Sequence, residues 1–147
     1  MAMLNLHATC IAFDGDGVLL TGASGSGKSD LALRALEAGA SLVADDRVDL
    51  ARSDDGRLIA QAPPQLAGLL EVRGLGILRW PHLARAALRL VVALVPPEQV
   101  PRLPGEGVAD HLGVVLPRLL LTPFEASAVT KLRLATRLAA GHIMRAS

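Results

Sequence analysis

Residues Gly22-Ala23-Ser24-Gly25-Ser26-Gly27-Lys28-Ser29 fit the pattern G-x-x-x-x-G-K-[S/T] at every defined position, and no other stretch constrains the fold so tightly. The pattern requires a strand before it and a helix after it. Both are predicted. The apolar run Val18 to Thr21 leads in. Leu31, Leu33, Ala35, Leu36 and Ala38 follow among good helix formers, and Gly39 stands where a left-handed cap would stop the helix. In such a loop the glycines let backbone N–H groups converge on phosphate oxygens, and the helix N-terminus adds its positive dipole end. Gly22 to Gly27 would form the cradle, Lys28 would reach the β- and γ-phosphates, and the Ser29 hydroxyl would ligate Mg²⁺.

The rest of the composition agrees with an α/β interior. The chain is 51% hydrophobic but 2% aromatic, so its core must be packed from Leu, Val, Ala and Ile, which favours a mixed α/β core over an aromatic-rich sandwich. A length of 147 residues suits one domain, 1–147. The formal charge of +1 comes without a basic run, which argues against nucleic acid as a partner. Cys10 is alone and cannot form an internal disulfide, and it reads as a small buried hydrophobe. No signal-peptide pattern is visible, and the most apolar runs are shorter than the ~20 residues a bilayer span needs. The expectation is a cytoplasmic protein with no membrane contact.

Along the chain, Leu4 to Phe13 reads as a strand and Asp14-Gly15-Asp16-Gly17 as a turn into Val18 to Thr21. Ser41 to Ala44 reads as a short strand, and Arg47 to Ala51 with Arg57 to Gln61 as a hairpin. Pro81 to Ala87 is expected to form a short helix, and Leu88 to Val95 and Val114 to Leu121 buried strands. The segment Pro96 to Gly107 holds four prolines and two glycines and is expected to be a surface loop that serves a site. Thr122-Pro123-Phe124-Glu125 has the chemistry of a capping box and predicts a helix from there to about Gly141.

Three further groups carry chemistry. Asp45 and Asp46 end the short strand that follows the phosphate-loop helix, a place where acids suit Mg²⁺ and proton transfer. Adjacent strand residues point to opposite faces, so only one would aim at phosphate unless the strand ends in a bend. Glu71 and Arg73, in Glu71-Val72-Arg73-Gly74-Leu75-Gly76, lie two apart on an extended segment and hence on one face; a metal and phosphate pair and a plain surface ion pair both fit. Of the four histidines, none shares a metal-like spacing with another or with Cys10, and His7 on the first strand reads as structural by itself.

Taken together and in this order, the phosphate loop, Leu42-Val43-Ala44-Asp45-Asp46 and Glu71-Val72-Arg73-Gly74-Leu75-Gly76 resemble the catalytic domain of HPr kinase/phosphorylase, from about His7 to Leu120. The resemblance implies a P-loop nucleotide-binding fold of the HPr kinase / phosphoenolpyruvate carboxykinase type, with a mixed sheet and a C-terminal helix. It implies a cytoplasmic, typically hexameric enzyme that uses ATP or pyrophosphate with Mg²⁺ to phosphorylate a serine of the phosphocarrier HPr, and reverses the reaction with phosphate. On it, His7 matches the active-site histidine, Lys28 binds phosphate, Ser29 and Glu71 hold Mg²⁺, and Arg73 belongs to the signature segment. The pair Asp45-Asp46 contains the acid that accepts the serine proton, the two roles being unseparated. Arg102 aligns with the arginine of the family's flexible loop, in a segment shortened and proline-rich here. Pro117 to Ala126 departs from the family's basic, glycine-containing stretch associated with dephosphorylation, and the family's N-terminal domain has no counterpart, as in a short form.

Two other readings are compatible with the residues. A small-molecule kinase would add an arginine-rich lid and a base-binding segment. A non-catalytic nucleotide-sensing module would need only the phosphate grip, without His7, the aspartates, Glu71 and Arg73.

Overall fold

A computed structural model of the protein describes residues 3–103 and 107–146. The sequence expectation of one long first strand is corrected: it is two, β1 (Met3–Leu6) and β2 (Thr9–Phe13), broken at His7 and Ala8. β1 pairs with a different neighbour, so the chain must bend between them. Asp14 and Gly15, at φ 51° and 86°, turn β2 into β3 (Asp16–Thr21). Both residues of a two-residue hairpin turn whose twist matches its strands need positive φ.

The phosphate loop then opens α1 (Lys28–Glu37). Its end is a Schellman cap, in which Gly39, at φ 106°, donates to Leu36 O and Ala40 donates to Ala35 O. β4 (Ser41–Ala44) follows, then the hairpin β5 (Val48–Arg52) and β6 (Leu58–Gln61), and a second hairpin of β7 (Leu69–Val72) and β8 (Gly76–Arg79). β9 (Ala86–Leu94), β10 (Val108–His111), β11 (Val114–Leu121) and α2 (Ala128–Ala139) complete the order.

The main sheet runs β1-β5-β6-β9-β3-β2-β4, with β11 joining β9 and β10 joining β11. It is mixed: β3, β9 and β11 are parallel, while β2, β6 and β10 run against their neighbours. β4 is antiparallel to β2 and therefore runs with β3. One face buries Ile11, Val18, Leu20, Leu90, Val92 and Leu94 under α1 and α2. The other face buries Cys10, Leu19 and Val91 together with Val48, Leu50, Leu58 and Ala60 from β5 and β6, so the sheet curls over itself. Leu88 and Leu90 share strand parity yet face opposite cores. The register against β3 slips there, with Gly17 opposite Leu88 and Val18 opposite Leu90, and the extra residue, Arg89, turns the strand over. Gly17 is needed at this bulge, because a Cβ would lie 2.9 Å from Ala87 O.

Three other expectations are corrected. Pro81 to Ala87 forms no helix, since Leu83 N donates to Leu42 O and His82 bridges to β4. β11 is a strand as expected, but of its residues only Leu121 is buried, because its first half pairs with the outer strand β10. The last helix begins at Ala128 with Ser127 as its N-cap; Thr122 is buried and Glu125 bonds Lys131 Nζ at 2.6 Å instead of capping. None of the described helices is long and apolar enough to cross a membrane.

Candidate active site

β3, β4, β9 and β11 all run in one direction, so their C-terminal ends lie along one edge of the sheet. Such an edge is where open α/β sheets seat ligands, because loops there can diverge around a crevice. The phosphate loop leaves β3, Asp45 and Asp46 leave β4, the proline-rich segment leaves β9, and Thr122 to Phe124 leave β11. β2 is antiparallel to β3, so its start, with Thr9 and the preceding His7, arrives at the same edge.

The loop Gly22 to Ser29 lies between β3 and α1 as its pattern requires. Gly22, Gly25 and Gly27 have φ of 151°, 81° and 104°. At Gly22 a Cβ would meet Ser26 Oγ at 2.6 Å, and at Gly27 it would meet Phe124 Cζ and Pro123 Cγ at 2.9 Å, so both positions exclude any side chain. Ser26 N donates to Ala23 O, while Ser26 Oγ is buried without a hydrogen-bond partner among the described residues. α1 starts at Gly27 with no side-chain cap, which leaves its first N–H groups to the loop. Lys28, 7% exposed, donates from Nζ to Gly22 O at 2.8 Å and Ala23 O at 3.1 Å. Burial pushes its ammonium pKa below the usual 10.5, and the charges of Asp46 and then Asp45 oppose that shift.

The two aspartates are separated by their surroundings. Asp45 is 5% exposed and its carboxylate accepts from three donors: Ser29 Oγ at 2.9 Å, Thr9 Oγ1 at 3.1 Å and the backbone N–H of Glu71 at 3.3 Å. Asp46 sits at φ 70°, and Arg47 N donates back to Asp45 O at 2.8 Å. A three-residue turn with positive φ at its centre is the rarer, strained form. This bend, which strand alternation by itself does not supply, brings both acids to the loop. Asp46 is exposed, and its Oδ1 lies 3.1 Å from His7 Nε2, the two side chains being 63% and 43% exposed.

His7 is therefore not on a strand, as the sequence suggested, but in the break between β1 and β2. Glu71 is on β7 with an exposed side chain, tied to the site through its backbone bond to Asp45. Arg73 is in the turn after β7, not on the extended segment expected for it, and is exposed; no Glu71–Arg73 ion pair forms among the described residues. Arg102 is exposed in the loop after β9, with no hydrogen bond or ion pair to the site among the described residues; 104–106 of that loop lie outside them. Two contributors escaped sequence reasoning: Thr9, which holds Asp45, and Pro123-Phe124, which packs on Gly27. Thr9 belongs to no motif and Pro123-Phe124 only to a capping pattern, so only the sheet edge brings them to the site.

The family model described as HPr Serine kinase C-terminal domain matches residues 1–95. HPr kinase/phosphorylase of Lactobacillus acidophilus is 41% identical over 98 residues, covering 62% of this chain and 30% of the relative. That of Burkholderia lata is 40% identical over 126 residues, covering 79% of this chain and 39% of the relative. The chain thus spans between 30% and 39% of the length of these two relatives. Among solved structures, the HPr(Ser) kinase/phosphatase of Coxiella burnetii superposes with a TM-score of 0.77 at 28% identity, covering 95% of this chain and 90% of that one. With the family model matched over residues 1–95 and a mixed α/β fold shared with a solved HPr(Ser) kinase/phosphatase, this chain belongs to the HPr serine kinase C-terminal domain family.

Proposed function

We propose that residues 1–147 act as one catalytic unit that transfers a phosphoryl group from ATP or pyrophosphate to a serine of an HPr-like phosphocarrier. The observation that carries this reading is the division of labour between Asp45 and Asp46. Asp45 is consumed by Thr9, Ser29 and Glu71 N, whereas Asp46 is exposed, backed by His7, and close enough to Lys28 to influence its charge. A sensor that only grips phosphate has no use for the second, solvent-facing acid.

Lys28 and the N–H groups at the start of α1 bind the donor's phosphate oxygens, which replace the carbonyls of Gly22 and Ala23 as partners of Nζ. The unpartnered Ser26 Oγ supports a phosphate oxygen nearby. The Ser29 hydroxyl and Asp45 carboxylate, 2.9 Å apart, suit a hard cation that keeps oxygen ligands, and would hold Mg²⁺ together with Glu71, whose backbone N–H bonds Asp45. When bound, Mg²⁺ supplies neutralisation of the developing phosphoryl charge. Asp46 accepts the proton of the incoming serine as the new O–P bond forms and the bond to the leaving phosphate breaks; His7 holds its carboxylate in place. Arg73, in the exposed turn beside the site, steadies the acceptor or the transferred group. The reverse phosphorolysis uses the same groups, and by resemblance the enzyme works as a cytoplasmic hexamer in regulation of the phosphotransferase system.

The test is transfer of label from γ-labelled ATP with Mg²⁺ to the host's HPr-like carriers, alongside Lys28→Ala and a carrier whose target serine is alanine. Label that needs both Lys28 and the serine is expected. ATP binding that depends on Lys28 without any transfer would turn the assignment toward a sensor or a small-molecule kinase.

A further inference from the structure

We propose that Phe124 is the platform on which the nucleobase of the phosphoryl donor stacks, a reading that rests on Gly22 to Ser29 being the phosphate site. The chain has three aromatic residues, and they are placed very differently. Phe13 is buried, Trp80 packs against the helix-side core, and Phe124 is 70% exposed. An exposed phenylalanine on an ordinary loop would call for no explanation. This one lies on the phosphate loop itself, because its Cζ is 2.9 Å from where a Cβ on Gly27 would stand.

The backbone leading to the ring is also held in place. Leu121 O accepts from Val95 N at 3.0 Å, Thr122 is buried, and the Arg34 guanidinium of α1 donates to Pro123 O. Phe124 thus follows the end of β11, the third of the parallel strands β3, β9 and β11 whose C-terminal ends form the site. On this proposal, a triphosphate seated on the loop N–H groups directs its base toward Phe124, the exposed aromatic that adjoins the loop at Gly27. A water-facing aromatic on this anchored backbone offers a π-face to any base, and burying that face removes it from solvent. Alanine replacement of aromatics that stack on bases weakens binding by about tenfold or more, a factor of ten being about 1.4 kcal/mol.

The test compares equilibrium binding of Mg-ATP and of Mg-inorganic triphosphate, which presents three phosphates and no base, by calorimetry on the full chain. The wild type is expected to bind ATP about tenfold more tightly than triphosphate. Phe124→Ala should lose that difference and leave triphosphate affinity unchanged, and Phe124→Trp should restore it. Full retention of the ATP preference in Phe124→Ala overturns the proposal. An equal loss for both ligands also overturns it, since the ring would then merely brace the loop. A wild type that binds triphosphate and ATP alike shows that no base platform operates, while the phosphate site stands. Binding of neither ligand removes the phosphate site and the platform together.

Discussion

Replacing Asp45 by alanine takes the shared acceptor away from Thr9, Ser29 and the Glu71 N–H at once. The three do not suffer equally. The Thr9 hydroxyl belongs to a residue 1% exposed and would be left buried without a partner, which costs about 1–3 kcal/mol. Ser29 and the Glu71 N–H are only part-buried and can turn to water at small cost, and the variant is also relieved of desolvating a carboxylate. The net expectation is about 2 kcal/mol of destabilisation. For a chain of this length that lowers Tm by roughly 4–8 °C. Asp46→Asn is the matched control. Its side chain is 63% exposed, its contact with His7 is a surface pair worth little, and asparagine tolerates positive φ, so stability should change by less than about 0.5 kcal/mol. Phosphoryl transfer by Asp46→Asn should nevertheless fall by roughly 10²–10⁴, the usual contribution of a general base. Urea melts and single-turnover transfer assays on the two variants provide the readouts. An Asp46→Asn variant that unfolds as easily as Asp45→Ala, or that transfers phosphate at the wild-type rate, would refute this division between the two aspartates.

Gly27→Ala forces a Cβ against Phe124 and Pro123 at φ 104°, so nucleotide affinity should fall at least tenfold and stability by about 1–3 kcal/mol, read by calorimetry and thermal melts. The buried Cys10 thiol is pushed up from 9.0 to about 12 by desolvation, so its reaction with a thiol reagent at pH 8 should proceed only at the rate of unfolding. The same shift has a sign in stability. Between pH 9.0 and about 12 the unfolded chain loses this proton and the folded one keeps it, so stability present below pH 9.0 drains away as pH rises. Cys10→Ala should therefore lose less stability than wild type over that range, and equal slopes for the two in alkaline urea melts would contradict it.

The phosphate loop, the strand before it and the helix after it were legible because each depends on neighbours in the chain: glycines that accept positive φ, helix formers, and Gly39 closing a Schellman cap. The order of the loop, Asp45-Asp46 and the Glu71 to Gly76 segment was likewise written in the residues, and so was the family they match. The tertiary structure alone decided how the two aspartates differ in burial and partners. That division arises from Thr9, 36 positions away, and from the bend at Asp46. It also decided that the first strand breaks at His7, since β1 finds β5 and β2 finds β3, and that the capping chemistry at Thr122 is overridden because Pro123 and Phe124 pack on Gly27. A local pattern states what a segment prefers. Burial and pairing between distant segments are worth more than that preference, and they bring His7, Asp46 and Phe124 to one edge of the sheet.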